Sequence, residues 1–370
     1  MTTNAVNQQA DKEGQVSLEG YEAPEPGGWE GYPLDELAIR DERRTASDVI
    51  RRIKNERFVL DPDFQRGFVW EKDKQSRLIE SILLRIPLPV FYVAEDDKGR
   101  LIVVDGRQRL TTLWHFLDNG LALDLKDRPE LHGKRFGDLD MRLQNRVEDS
   151  QLLFYIIDSS VPVRARLDIF ERVNGGEVLT RQQMRNAIYN GPATRFLRDE
   201  AQTLDFMQAT GGSLNTGKMQ DREMINRFCS FRLLKLEDYR GDMDDWLAKG
   251  LQKINMASSE DLEKLSSLFR RAMKNNFVVF GRQAFRKHSD PEQRRSILNA
   301  SLFDVMSTGL ARFSEERVLE KADVLREKFY LLMDDNEFSR AVTYSTNTPK
   351  EVRTRFRIAK AMFDEVFNAA

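Results

Sequence analysis

The run Asp105-Gly106-Arg107-Gln108-Arg109 places a carboxylate, a glycine and two guanidinium groups within five residues, a set suited to phosphate chemistry. At a helix N-terminus, exposed backbone amides, the positive end of the helix dipole and cationic side chains all favour an anion in the same place. Asp105 is then a candidate to hold a divalent cation or orient a water, and Arg109 to neutralise charge developing on a transferred phosphoryl group. The same residues admit a structural reading, in which Asp105 caps the helix and the arginines are solvated. Other chemistries have less to work with. The single cysteine, Cys229, excludes an intramolecular disulfide framework and a cysteine-rich zinc ribbon, and fits a reducing compartment. With only His115, His132 and His288, a histidine-based metal cluster is not expected. Residues 212–218, Gly-Ser-Leu-Asn-Thr-Gly-Lys, imitate a P-loop, but Met219 stands where a Ser or Thr would bind magnesium and no apolar strand precedes it. They read as a flexible interhelical loop.

The elements around the motif must bring a strand to a helix. Val90-Phe91-Tyr92-Val93 and Leu101-Ile102-Val103-Val104 are β-branched and aromatic runs joined by turn-forming residues, which predicts a hairpin. Leu110, Leu113, Trp114 and Leu117 then follow at helical spacing, stopped by Asn119-Gly120. Upstream, Phe58-Val59-Leu60 is a short strand candidate, and Leu78, Ile79, Ile82 and Leu83 predict a helix over 72–84. Downstream come a strand over 152–157 and a helix carrying Leu167, Ile169, Phe170 and Val173. From Thr180 onward the pattern is one of successive amphipathic helices, including 222–236, 261–280, 316–332 and 349–367. The chain of 370 residues has room for two or three packed units. The expected organisation is α+β: a polar, flexible tail over 1–33, a mixed α/β domain over 34–178, and an all-helical region over 179–370.

A longer set of motifs resembles one family. Phe64-Gln65-Arg66-Gly67-Phe68-Val69-Trp70, Leu78-Ile79-Glu80-Ser81-Ile82-Leu83-Leu84, Ile86-Pro87-Leu88-Pro89, Val104 to Leu113 and Ile169-Phe170-Glu171-Arg172-Val173-Asn174-Gly175-Gly176 occur in order, followed by Met184-Arg185-Asn186-Ala187. Together they resemble the N-terminal domain family of GmrSD-type modification-dependent restriction systems, over about 34–198. The resemblance implies a ParB/sulfiredoxin-like core that binds a nucleoside triphosphate, with Mg2+, and couples hydrolysis to attack on foreign or modified DNA. It places Gln65 and Arg66 with Asp105 and Arg109 as catalytic candidates, and Gly106, Arg107, Gln108, Thr111 and Asn174 as nucleotide-binding ones. Arg107 departs from the family's usual Asp-Gly-Gln-Gln-Arg, adding a cation. Asn174 reads equally well as a helix C-cap, and Glu80 either positions a metal-bound water or is simply solvated. Related proteins carry a C-terminal HNH nuclease. Its constellation is not found here; His288-Ser289-Asp290 comes nearest, and residues 293–298 read as a helix start. Cleavage would then need a separately encoded nuclease partner. The alternatives are a non-catalytic nucleotide-responsive adaptor and a ParB-like DNA-nicking enzyme.

Fifty-eight Lys and Arg against 60 Asp and Glu give a net charge of −2, so contact with DNA must use local patches. Arg270, Arg271, Lys274, Arg282, Arg286, Lys287, Arg294 and Arg295 form one basic stretch, interleaved with Phe269, Phe277, Phe280 and Phe285. Lys350, Arg353, Arg355, Arg357 and Lys360 form another. Each is either a phosphate-contacting surface with its aromatics packed inside or a solvated helix face. No apolar run is long enough to cross a bilayer and the start lacks a signal-peptide pattern, so a cytoplasmic location is expected. A homo-oligomer is compatible with the helical region.

Overall fold

The computed structural model describes residues 18–19, 38–60, 70–96, 98–173, 180–290 and 292–368. The chain divides into two compact units, with the boundary between Asn190 and Gly191.

The first unit is built on a five-stranded mixed sheet of order β1-β5-β3-β4-β2. Its strands are β1 (Ile39–Thr45), β2 (Phe58–Val59), β3 (Phe91–Glu95), β4 (Leu101–Asp105) and β5 (Gln151–Ile157). The expected hairpin is present as antiparallel β3 and β4, while β3 runs parallel to β5 with Phe91 opposite Phe154. Side chains alternate across the sheet. Phe58, Phe91, Val93, Leu101, Val103, Leu152, Phe154 and Ile156 form one apolar face. Four helices close over this core: α1 (Ala46–Lys54), α2 (Lys72–Leu83), α3 (Arg107–Leu117) and α4 (Met141–Glu148). Phe154 is packed between Phe91, at 5.1 Å, and Phe58, at 5.3 Å. The other face is covered by α5 (Val163–Val173) and α6 (Arg181–Ile188), the latter packing on β4.

Strand β1 has no sequence signal because it is a charged edge. Its residues, Ile-Arg-Asp-Glu-Arg-Arg-Thr, pair antiparallel with β5 along their full length. Arg40 reaches Glu95 at 2.7 Å and Asp158 at 3.3 Å, so backbone pairing and ion pairs replace apolar alternation. Charge on an edge strand also discourages pairing with a second sheet.

The second unit is helical: α7 (Pro192–Ala201), α8 (Leu204–Thr210), α9 (Gln220–Leu233), α10 (Met243–Asn255), α11 (Ser259–Phe280), α12 (Ala300–Leu310), α13 (Glu315–Glu320), α14 (Ala322–Asp334), α15 (Asn336–Ala341) and α16 (Pro349–Asn368). Residues 212–218 lie between α8 and α9, so a helix precedes the P-loop imitation. The helix expected over 316–332 is broken at Lys321. Residues 293–298, expected to open a helix, form none: Gln293 sits at a bend, and Leu298 bridges Arg286 in antiparallel fashion. Asn299 then caps α12 by accepting from the Leu302 amide at 2.8 Å. Glu19, in the segment read as a tail, bridges Asn299 and pairs with Lys287 at 2.5 Å. Among the described residues, no helix is long and apolar enough to cross a membrane.

Every residue of α12 is buried, including Asp304, which is the hub of this unit. Arg227 grips its two oxygens at 2.8 and 2.7 Å, and Arg355 adds a third bond at 2.9 Å. Arg355 is therefore no member of a basic surface: it is fully buried, with a further bond to the Thr346 carbonyl. Truncating one partner of a buried ion pair strands charge in a dry interior. Asp304→Ala should cost about 3–5 kcal/mol of stability, read by denaturant unfolding.

His288 is 4% exposed, ringed by Phe280, Phe329 and Tyr330, with Nδ1 2.8 Å from the Arg286 carbonyl oxygen. Burial lowers its pKa, helped by the Arg286 and Arg326 charges and opposed by the hydrogen bond to the Arg286 carbonyl. The folded state thus keeps this ring neutral where the unfolded chain, with a pKa of about 6.5, begins to bind a proton. The stability it contributes is present above about pH 6.5 and is lost as pH falls through the unfolded value. Unfolding midpoints measured from pH 7.5 down to pH 5 should fall less steeply in His288→Gln than in the wild type.

Candidate functional site

Strand β4 delivers Asp105 to the edge of the apolar core, and the chain must turn there into α3. Gly106 makes the turn with φ +95° and ψ 8°, a left-handed conformation that strains any residue bearing a Cβ. Space forbids one as well: a Cβ on Gly106 would lie 2.2 Å from Cδ1 of Phe91 and 3.2 Å from Nη2 of Arg109. The first intrahelical bond runs from the Leu110 amide to the Gly106 carbonyl at 2.9 Å. The amides of Arg107, Gln108 and Arg109 therefore precede the helix ladder, at its electropositive end. The cap residue is Gly106, with no side-chain capping bond, so Asp105 does not serve as the helix cap.

Asp105 instead accepts from Nη2 of Arg109 at 2.7 Å, with its side chain one-third exposed. Arg109 is 9% exposed and lies over the Phe91 ring, 4.4 Å from its centroid. Its remaining donors hold the Pro89 carbonyl and, at 3.2 Å, the Val90 carbonyl. Burial pulls the Arg109 pKa below the ordinary arginine range, against the pull of Asp105. This guanidinium is committed to the scaffold: it fixes Asp105 and ties the entry of β3 to the start of α3.

The structure brings together Asp105, Gly106, Arg107, Gln108, Arg109 and Thr111 within one strand end and the first helical turns. Arg107, Gln108 and Thr111 are half-buried. Gln65, Arg66 and Asn174 lie outside the described residues. Glu80 is not a solvated helix residue. It accepts from Arg77 at 3.0 Å and Arg128 at 2.9 Å and is nearly buried, fastening residue 128 to α2. Among the described residues there is no group of three or more His, Cys, Asp or Glu side chains that could hold a metal.

One polar constellation, of which the sequence reading quoted only Arg185 and Asn186 within a motif, was given no role there. Gln182, Arg185 and Asn186 on α6 are buried, with Arg185 Nε donating to Gln182 at 3.1 Å and Gln182 Nε2 donating to Asn186 at 2.8 Å. Arg181 beside them pairs with Asp168 of α5 at 2.7 Å. The available signal was three polar side chains at i, i+3 and i+4 on a helix that must cover a sheet.

The basic stretch separates into different environments. Arg270 is paired with the buried Glu200 through bonds of 3.0 and 2.9 Å, and Lys274 lies 3.5 Å from Glu315. Lys287 is held by Glu19 and Thr343. Arg286, expected at a surface, is 1% exposed and bonded to carbonyls, so it presents nothing to a phosphate. Arg271 is half-buried and Arg282 exposed. Phe269, Phe280 and Phe285 pack inside as expected, whereas Phe277 is partly exposed.

Gly106→Ala joins a left-handed backbone penalty of about 1–2 kcal/mol to a clash with Phe91. Its expected outcome is a destabilised sheet unit, seen as a lower unfolding midpoint, together with weakened binding of any anion at the α3 N-terminus.

No curated protein matches the chain. Residues 46–190 match the family described as GmrSD restriction endonuclease, N-terminal domain. The matched region runs from the first residue of α1 to just past α6, and so contains the β4–α3 turn and the buried polar group of α6. Residues 46–190 therefore carry a GmrSD-type N-terminal domain.

Proposed function

We propose that the sheet unit binds a nucleoside triphosphate at the β4–α3 turn and hydrolyses it, as part of a restriction or phage-defence system that targets DNA. The observation that carries this reading is the Gly106 turn. It sets helix amides beside a partly exposed carboxylate and two half-buried polar side chains, Arg107 and Gln108, at a position where no larger residue fits. Such a terminus attracts phosphate through backbone donors and dipole together. Asp105 is the residue for Mg2+: a magnesium ion commonly takes one or two carboxylates, waters and the substrate's own phosphates, so one carboxylate suffices. The ion would draw charge from the phosphates. Arg109 would keep Asp105 aimed, Arg107 would meet the nucleotide, and Gln65 and Arg66 would complete the site. The fold proposed for this unit is ParB/sulfiredoxin-like. DNA cleavage in such a system would fall to a nuclease partner.

The commitment of Arg109 to Asp105 and two carbonyls favours a second reading, a nucleotide-responsive adaptor that binds without turnover. Hydrolysis of each of the four ribonucleoside triphosphates with Mg2+, with and without plain or modified DNA, separates the two. Turnover should fall about 100-fold or more in Asp105→Ala, as expected when the carboxylate that would hold the metal is removed, and should vanish on chelation of the metal. Tight binding with no turnover in the wild type selects the adaptor. A melting curve for Asp105→Asn checks that the fold survives loss of the ion pair with Arg109.

A further inference from the structure

Several surface cations of the helical unit are paired with its own acids. Arg270, Lys274, Lys287, Arg357, Lys264, Lys328 and Lys360 each face a carboxylate. The ribbon between α11 and α12 is different. Its two arms run from Gln283 and back to Asn299, joined by the Gln283 side chain on the Gln293 carbonyl, by Arg286 Nε on the Ser296 carbonyl at 2.9 Å, and by the Asn299 amide on the Phe285 carbonyl at 2.9 Å. Arg282 and Arg294 flank the first of these bonds, and Arg295 follows. All three are exposed, and among the described residues none has a carboxylate within ion-pairing distance. The ribbon's own acids, Asp290 and Glu292, sit at its far bend, where Asp290 accepts from the Glu292 amide at 2.7 Å.

Beneath the exposed arginines lies a fourth. Arg286 and Arg295 converge on one acceptor, the Thr210 carbonyl at the C-terminus of α8, at 2.8 and 2.9 Å. Arg286 also bonds the Ala284 carbonyl at 2.8 Å and Ser213 Oγ at 2.7 Å, so neutral dipoles, not a counter-charge, satisfy it. Burial and then the neighbouring Arg295 lower its pKa to about 10, and no carboxylate acts in the opposite direction. It remains cationic at neutral pH and adds to the field of the ribbon without touching solvent. Gly211 lets Arg295 lie flat on the backbone there: a Cβ would fall 1.8 Å from its Nη2.

We propose that Arg282, Arg294 and Arg295 form the surface through which this chain grips the phosphate backbone of DNA, with Arg286 as the buried residue that shapes it. Guanidinium forks match phosphate oxygens, and an uncompensated group of them favours a polyanion over a neutral partner. The inference rests on the reading of the chain as part of a DNA-targeting system. It narrows the basic stretch of residues 270–295 to its ribbon part.

The test follows binding of a fluorescent DNA duplex to the full chain by anisotropy, across about 50 to 200 mM salt. The triple variant Arg282→Gln, Arg294→Gln, Arg295→Gln should shallow the slope of log K against log salt by about 2.7, at about 0.9 for each phosphate that is no longer neutralised. A control with equal charge removal at paired sites, Lys264→Gln, Lys328→Gln, Arg357→Gln, should keep the wild-type slope. Equal effects in both triples, or none in the ribbon triple, would overturn the assignment. So would a wild type that ignores DNA, or one whose DNA is displaced by polyglutamate at matched charge, which would point to an acidic protein partner. Nucleotide turnover measured without DNA should be unchanged in the ribbon triple, so failure of the hydrolytic reading and failure of this surface are separate results.

Discussion

The sheet unit depends on the close approach of Gly106 to the ring of Phe91. That packing lets β4 turn directly into α3, and it leaves Arg109 able to lie across the same ring with its donors on Asp105, Pro89 and Val90. Phe91 in turn stacks on Phe154 at the centre of the sheet. The candidate site is therefore braced by the hydrophobic core itself. A carboxylate held this way loses little freedom when a ligand arrives, which is what a preorganised phosphate site requires.

Arginine does different work in different places, and burial decides which. Arg109 is a strut whose charge is balanced by one carboxylate and by carbonyl dipoles. Arg227 and Arg355 share Asp304 inside the helical unit, a buried triad that is costly to break and ties α9 and α16 to α12. Among the described residues Arg286 meets no counter-charge and is held by neutral acceptors. A count of basic residues along the sequence treats these as equivalent, although only the exposed ones can reach a partner.

What the sequence made legible follows from where burial is two-sided or one-sided. The β3–β4 hairpin and α3 read clearly because Phe91, Val93, Leu101 and Val103 face a core and the turn residues between them are distinctive. The motif's position at a strand end was legible for the same reason. Strand β1 was not, since its stability comes from pairing with β5 and from cross-strand charges that periodicity does not register. The break at Lys321 and the non-helical course of residues 293–298 were hidden too. Both are set by tertiary packing: the ribbon by Arg286 and its carbonyls, with its end fixed by the Asn299 cap. The motif likewise gave the residue types but not their partners, such as the Asp105 carboxylate and the Pro89 and Val90 carbonyls that hold Arg109.

A net charge of −2 looks unfavourable for a protein acting on a polyanion, yet the total says little about the field at any one place. Exposed pairs such as Arg357 with Glu337 and Lys328 with Glu365 cancel at short range, and beyond about 10 Å salt screens what remains. Charges outside such pairs are what a large ligand meets. In the helical unit three of these are drawn together by the arms of one ribbon, over a fourth that cannot be neutralised by solvent ions because it is buried. The packing that buries Arg286 thereby raises the local potential while the composition stays close to neutral, so charge topology carries information that charge count does not.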